Sequence, residues 1–486
     1  MSTLAKNTFY LTFASIAQKV IAFVYFAQIA RYFDVEGTGP YFLSLAMVTV
    51  IMVFDDLGLT SVLIREVAKE RDQAVLWSRT VIGIKLITMP LTVIAAFVVP
   101  GLLGYSDQIV QLVRIAVVIM LADTLSLSFY GILRGMQNLR YEAIGVFIGQ
   151  MATATIGFIL MATGHATLPL LILALATGSV WNVAFSAHFI RVKLGWKAFV
   201  PTWRLGMKPL KIAFAFFLAA AFVKVYSYVD SFILGRVIGD DAVGIYAVAY
   251  KLTYAFQFLP LAFIGALYPT MSAQAGDPEK LRKTLLDAFW YMALLAGPIV
   301  LGIFSIAPEL IDAFYGPSFA DAVVPLMILI FVLIPIFLDF PIGSLLNATD
   351  RQMTKTIIGG FTMLINVVAN VVLIPMYGVS GAAIAGLISF TFLFVIDWVF
   401  AKDSVRISVM DIGKTTGRIF ASAVVMALVV MLIKPYVHFT LAVPVGAIVY
   451  VACLIASGAV NRSHWDHVKR LLFKKVVYAE DSVANG

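Results

Sequence analysis

Five basic residues stand inside long apolar runs of this sequence: Lys19, Lys85, Arg114, Lys224 and Lys251. The acids Asp55, Asp56, Asp123, Asp230, Asp339 and Asp397 lie in or near similar runs. A charge at the centre of a bilayer costs about 2.5–3.5 kcal/mol even on a lenient scale. Each must therefore be hydrated, paired or able to reach an interface. Arg114 and Lys85 sit near run ends and can snorkel; Lys19 and Lys224 are mid-run, where snorkelling is hard. A buried carboxylate can carry a coupling proton or share a cation, and Asp230, Asp56, Asp123 and Asp339 are the candidates for ion coupling. A helix-to-helix hydrogen bond or an ion pair is the competing role for each. Lys224 and Asp230 are six residues apart, about 120° around a helix and about 9 Å along it, so they do not form a close pair on one face. Asn366 and Asn370, four apart, share a helix face and suit interhelical hydrogen bonding. No catalytic constellation accompanies these charges. The five histidines are scattered, no HExxH, GxSxG or P-loop occurs, and the single Cys453 excludes an internal disulfide and any CxxC metal or redox pair. The sequence predicts no catalytic residue, no metal site and no cofactor.

The elements that hold these residues are membrane helices. With 61% hydrophobic and 13% charged residues, the chain is far more apolar than soluble domains, which carry roughly 25% charged residues. Fourteen spans fit: about 8–32, 41–63, 80–102, 109–133, 142–163, 168–190, 212–236, 243–271, 285–307, 323–346, 353–374, 379–401, 417–435 and 440–460. The prolines and acids of 302–325 make that segment the hardest to assign. With the N-terminus in the cytoplasm, inner segments hold 27 of the 35 Lys and Arg, including Arg351 and Lys355. Outer segments hold Arg31, Arg236 and Lys434, and the five above are left inside spans. That asymmetry predicts an even number of spans with both termini cytoplasmic. The net charge of +8 follows from these loops, and no basic motif with interleaved aromatics points to nucleic acid. The connector around 191–211, with Trp196, Phe199 and Trp203 among basic residues, and the tail WDHVKRLLFKKVVYAE suit segments lying on an anionic lipid surface. A plain basic loop is the alternative for both.

A shift of 205 residues brings Phe9 onto Phe214, Ala14 onto Ala219, Lys19 onto Lys224, Val20 onto Val225, Val24 onto Val229, Arg31 onto Arg236, Gly39 onto Gly244 and Tyr41 onto Tyr246. Six spans separate the copies, so the repeat is parallel, with an axis along the membrane normal. The expected fold is all-α and polytopic. Two six-helix lobes, 1–200 and 201–402, surround a central cavity, followed by two C-terminal helices (403–461) and a basic cytoplasmic tail (462–486). Lys19 and Lys224 then approach one hydrated central space from opposite sides.

VDSFILGRVIGDDAVGIYAVAYKL (229–252), NVVANVVLIPMYGVSGAAIAGLIS (366–389) and DDLGLTSVLIRE (55–66) resemble the polysaccharide-transport branch of the multidrug/oligosaccharidyl-lipid/polysaccharide exporter superfamily. The resemblance covers the chain in order. It implies two six-helix bundles around a cavity, often with two extra helices. It also implies transfer of a polyprenyl-pyrophosphate-linked glycan to the outer leaflet of a prokaryotic cytoplasmic membrane by alternating access. A pyrophosphate crossing a low-dielectric core needs cations that keep their charge, which makes Lys19, Lys224, Lys251 and Arg114 the candidate substrate contacts. Membrane lipids, a coupling proton or sodium ion and the polysaccharide polymerase machinery are the further partners expected. A multidrug/cation antiporter, a peptidoglycan-precursor flippase and a membrane glycan polymerase or ligase are the rival readings; the last usually needs a long outer loop, which is lacking here.

Overall fold

The computed structural model describes the backbone of residues 3–460, with side chains outside 3–15, 261–262, 264–266 and 403–404. The basic tail (462–486) lies outside the described residues. Every regular element among the described residues is helical. In chain order these are α1 (Thr3–Asp56), α2 (Leu59–Lys69), α3 (Ala74–Leu102), α4 (Asp107–Gly135), α5 (Arg140–Ala162), α6 (Leu168–Leu194), α7 (Lys208–Val237), α8 (Asp240–Tyr254), α9 (Phe258–Ala273) and α10 (Pro278–Ser305). There follow α11 (Ala307–Tyr315), α12 (Val323–Leu329), α13 (Leu333–Ala348), α14 (Gln352–Val405), α15 (Val409–Ile433) and α16 (Phe439–Ala456), with short 3-10 turns between some of them.

Helix is the only regular structure an open chain can keep in hydrocarbon, because each segment then satisfies its own N–H and C=O groups. Eleven of the described helical stretches are long and apolar enough to cross a membrane. Two are about twice the needed length, 41 residues in Ile16–Asp56 and 51 in Gln352–Lys402. Each holds one non-helical residue near its middle, Asp34 (φ 52°) and Gly378 (φ 58°). The expected span at 243–271 is interrupted instead: α8 and α9 are joined by a 3-10 turn at Ala255–Gln257. The expected span at 41–63 ends early, at Asp56, because Leu57 and Gly58 take positive φ. Gly58 also lies against the backbone of α7, where a Cβ would sit 2.7 Å from the Ala213 carbonyl oxygen. The family-like DDLGLTSVLIRE is therefore a helix end, a glycine corner and the start of the amphipathic α2, which buries Leu59, Val62, Leu63 and Val67. The hard-to-assign stretch at 302–325 becomes the end of α10, then α11 and a 3-10 turn.

The chain divides into two compact units. Among the described residues, the larger comprises those up to 275 and 307–401; the smaller, 276–306 and those from 402 onward. Within the larger, α1 packs on α3, α4, α5, α7 and α8, and α13 packs on α9. Exposed leucines, isoleucines and valines run along its helices, among them Leu86, Ile87, Leu91 and Ile94 of α3 and Leu364, Val368, Val371 and Val372 of α14. In the smaller unit α10 packs on α15 and α16 around Trp290, Ala293, Ile419, Ala423, Met426, Tyr450 and Leu454. Tyr450 donates to the Leu294 carbonyl (3.0 Å), and Lys434 Nζ donates to the Ser305 carbonyl (2.9 Å).

Repeat partners meet within the larger unit. Gly39 of α1 and Gly244 of α8 are equivalent across the 205-residue shift, and so are Val35 and Asp240. A Cβ on Gly39 would meet the Asp240 carbonyl oxygen at 1.9 Å; one on Gly244 would meet that of Val35 at 2.7 Å. The contact is reciprocal, as a twofold axis between the two helices requires. The same end of the bundle carries further contacts. Arg31 donates to the Phe314 (2.9 Å), Asp312 and Ala313 carbonyls at the C-terminus of α11, where a cation meets orphan carbonyls. Its counterpart Arg236 lies against Gly104, after α3. Ser318 Oγ donates to Asp34 (2.8 Å), and Ser106 Oγ donates to Asp240 (3.0 Å).

Candidate functional site

Two cavities open inside the larger unit. The larger, about 490 Å³, is lined from α7, α9, α13 and α14, including Tyr226, Tyr268, Asn347, Gln352 and Lys355. The smaller, about 210 Å³, is lined by residues of α1, α5, α6, α7 and α8, including Tyr25, Tyr41, Thr49, Gln150 and Lys251.

The lysines fall into two groups. Lys85, expected near a helix end with freedom to snorkel, is instead 1% exposed. Its Nζ donates to Thr124 Oγ1 (2.6 Å) and lies 3.3 Å from Asp55 Oδ2 and 3.9 Å from Asp56 Oδ1. Thr88 donates to the other Asp55 oxygen (2.7 Å), and Thr60 donates to Asp56. Two adjacent acids at the end of α1 thus face one ammonium, which reaches them from one packed helix away. Lys355, counted among the inner-loop residues, is inside α14. Its Nζ lies 3.5 Å from both Asp339 of α13 and Asp397 further along α14. The signal for this pair was the three charges themselves, but the excess of basic residues at the adjoining loop claimed Lys355 first.

Lys19, Lys224 and Lys251 make no ion pair among the described residues. Lys19 is exposed on α1, and Lys224 is half-buried on α7 with its Nζ 5.8 Å from the centre of the Tyr228 ring. Neither lines either of these two cavities, though Ala22 and Tyr25, one to two turns beyond Lys19, line the smaller one, and Val223 and Tyr226, beside Lys224, line the larger. Lys251 lies in the smaller cavity against two aromatic faces, Phe26 (5.3 Å) and Phe42 (5.5 Å). A cation over ring faces is attracted by their electron-rich centres. Tyr25, lining the same cavity, has a buried hydroxyl with no hydrogen-bond partner among the described residues. Arg114 stands apart, exposed on α4 with its guanidinium 5.6 Å from the Phe97 ring.

The acids are held in different ways. Asp230 is buried on α7 and accepts hydrogen bonds from Tyr246 (2.6 Å), the Ser231 amide (2.6 Å) and the Ser231 hydroxyl (3.1 Å). Its repeat equivalent is Tyr25, and that of Tyr246 is Tyr41, so the carboxylate replaces a phenol in one copy only. Asp123 is half-buried on α4. Asn366 donates to Ser389 (3.1 Å), fastening the two halves of α14 as expected of an interhelical amide, whereas Asn370 turns back along its own half and donates to the Asn366 carbonyl (2.8 Å).

The connector after α6 is anchored on α3. Ser78 and Arg79 donate to the Ala198 (2.9 Å) and Val200 (2.8 Å) carbonyls, while Trp196 and Trp203 stay exposed.

Comparison with known proteins places this arrangement. Residues 4–275 match the family described as polysaccharide biosynthesis protein, and residues 215–372 match the MatE family. The chain is 33% identical over 171 residues to the probable flippase AglR of Haloferax volcanii, a stretch covering 34% of this chain and only 36% of that protein. It is 24% identical over 393 residues to the probable low-salt glycan biosynthesis flippase of the same organism, covering 80% of this chain and 81% of the relative. In fold it is similar to the lipid II flippase MurJ in an inward closed conformation, with a TM-score of 0.72 at 17% identity over 91% of this chain and 97% of that one. The family match spans more than half of the sequence, and the polytopic all-helical fold agrees with it: the chain belongs to the polysaccharide biosynthesis protein family of membrane proteins.

Proposed function

We infer that this protein is a flippase that moves a lipid-linked glycan across a membrane for polysaccharide synthesis. The observation that carries this reading is the contrast among its intramembrane lysines. Lys85 and Lys355 each face two carboxylates, whereas Lys19, Lys224 and Lys251 face none among the described residues. Unpaired ammonium groups at that depth are suited to an anion that arrives with the cargo, such as the pyrophosphate of a polyprenyl-linked oligosaccharide. The likeness to a glycan biosynthesis flippase over 80% of this chain supports the cargo class, and the fold shared with a lipid II flippase is compatible with transport.

In this reading the chain crosses a prokaryotic cytoplasmic membrane fourteen times. Eleven apolar stretches, two of them double and joined by the interrupted α8–α9, support that number. Both termini are cytoplasmic, because the basic loops fall on that side. The end bearing Gly39, Gly244, Arg31 and Arg236 is then the outer end, and the contacts there seal it. Residues 1–200 and 201–402 act as two lobes that rock about this seal, with 403–461 an addition. Lys19, Lys224 and Lys251 guide the pyrophosphate; Arg114, remote from both cavities, meets lipid headgroups or the substrate's entry path. Asp230, Asp56, Asp123 and Asp339 are the acids available for proton or sodium coupling, and glycan polymerase machinery is the partner that takes the product.

The test is deletion of the gene. Cells lacking the protein are expected to lose a surface glycan while its lipid-linked precursor accumulates on the inner leaflet. A null strain that keeps its glycans and instead becomes sensitive to cationic dyes overturns the reading.

A further inference from the structure

Three charges meet at the wall of the larger cavity and do not balance. Lys355 is positive; Asp339 and Asp397 are negative. Asp397 is fully buried and Asp339 is 8% exposed. Both oxygens of Asp397 and Oδ1 of Asp339 have no hydrogen-bond donor among the described residues. Buried polar atoms of native proteins are nearly always partnered, and an unpaired buried charge is costly. The two carboxyl groups converge on one ammonium, each with an oxygen 3.5 Å from the same Lys355 Nζ. Two carboxylates that close cannot both stay ionised comfortably, and one proton between them turns one into a donor and the other into its acceptor.

Lys355 does not supply what is missing. Its Nζ is 3.5 Å from each acid, longer than the about 2.7–2.9 Å of a close ammonium–carboxylate bond. Its side chain is 32% exposed and lines the cavity. Gly343 makes its place: a Cβ there would lie 1.9 Å from Nζ. The ammonium therefore has the acid pair behind it and the cavity in front.

We propose that Asp339 and Asp397 bind one shared proton, and that this proton sets whether Lys355 can hold an anion, of the phosphate or pyrophosphate class, in the cavity. With the proton bound, the trio is neutral and Lys355 is free to pair outward. Without it, the trio carries one negative charge and repels an anion. Proton binding and anion binding are thus positively linked. The proposal deepens the flippase reading, on which the choice of anion rests. The other ionisable groups lining the space are Tyr226 of α7 and Tyr268 of α9.

The full chain, purified in lipid nanodiscs, allows two measurements. Infrared difference spectra between about pH 5 and 8 report a protonated carboxyl group. The wild type is expected to show its C=O band, Asp339→Asn and Asp397→Asn to lose it, and Lys355→Met to keep it. Binding of inorganic pyrophosphate is then titrated against pH. Wild-type affinity, taken relative to Asp397→Asn so that the probe's own ionisation cancels, is expected to fall about tenfold per pH unit once the pair loses its proton. Lys355→Met is expected to bind without that dependence and more weakly. A wild type without the band, a band that survives in Asp397→Asn, equal pH slopes in wild type and Asp397→Asn, or no wild-type binding of pyrophosphate each overturns the proposal. The infrared result does not depend on transport, so normal spectra and binding in a protein that exports no glycan would count against the flippase reading alone.

Discussion

Replacing each intramembrane lysine by methionine separates the paired lysines from the unpaired ones. Lys85→Met removes the ammonium that lies 3.3 Å from Asp55, 3.9 Å from Asp56 and 2.6 Å from Thr124 Oγ1. Asp55 has no exposed surface, so its charge has no route to water. Breaking one side of a buried pair costs about 3–5 kcal/mol, chiefly from the charge left behind. Lys19→Met removes an exposed cation with no ion pair among the described residues, a change of about 0.5 kcal/mol or less in stability. The expected gap is therefore about 3 kcal/mol or more, a hundredfold or more in the folded population. Thermal aggregation midpoints of the detergent-purified variants measure it, and the amount of membrane-inserted protein provides a second readout. Export is then scored as surface glycan per inserted molecule in a null strain. Lys19→Met and Lys224→Met are expected to insert near wild type and to fail in export, and Arg at either position to keep partial function, since the charge persists with altered geometry. Lys85→Met is expected to insert poorly. Equal stability of Lys85→Met and Lys19→Met would refute the argument from pairing. Normal export per molecule by both Lys19→Met and Lys224→Met would refute the anchor role.

Two further outcomes follow from the geometry. Gly39→Ala places a methyl group 1.9 Å from the Asp240 carbonyl oxygen, an overlap of the kind that costs about 1–3 kcal/mol. In a background with Cys453 replaced, a cysteine at Val35 is expected to label faster in this variant, because the contact between α1 and α8 opens; unchanged labelling with unchanged stability would count against the seal. Asp230→Asn keeps an acceptor for Tyr246 and is expected to insert normally and to lower gradient-dependent export; normal gradient-dependent export by this variant would remove Asp230 from coupling.

The amino-acid pattern alone determined the fold class, because the need to satisfy every backbone group in hydrocarbon leaves few architectures for a chain this apolar. The identities at a shift of 205 residues were equally legible, since Lys19, Arg31, Gly39 and Tyr41 recur there as Lys224, Arg236, Gly244 and Tyr246. What the repeat could not say is that Gly39 and Gly244 face each other. A register match carries no distance, and the reciprocal contact exists only once α1 and α8 are packed. The same limit governed the charges. Hydropathy ranks Lys19, Lys85 and Lys355 by depth along their own helices, yet what fixes the role of each is a partner on a neighbouring element. Asp55 and Asp56 come to Lys85 from across 30 residues, and Asp397 comes to Lys355 from the far half of α14. Depth along a helix is local and is written in sequence; the electrostatic work of burying a charge is settled by groups that only tertiary packing brings within a few ångströms.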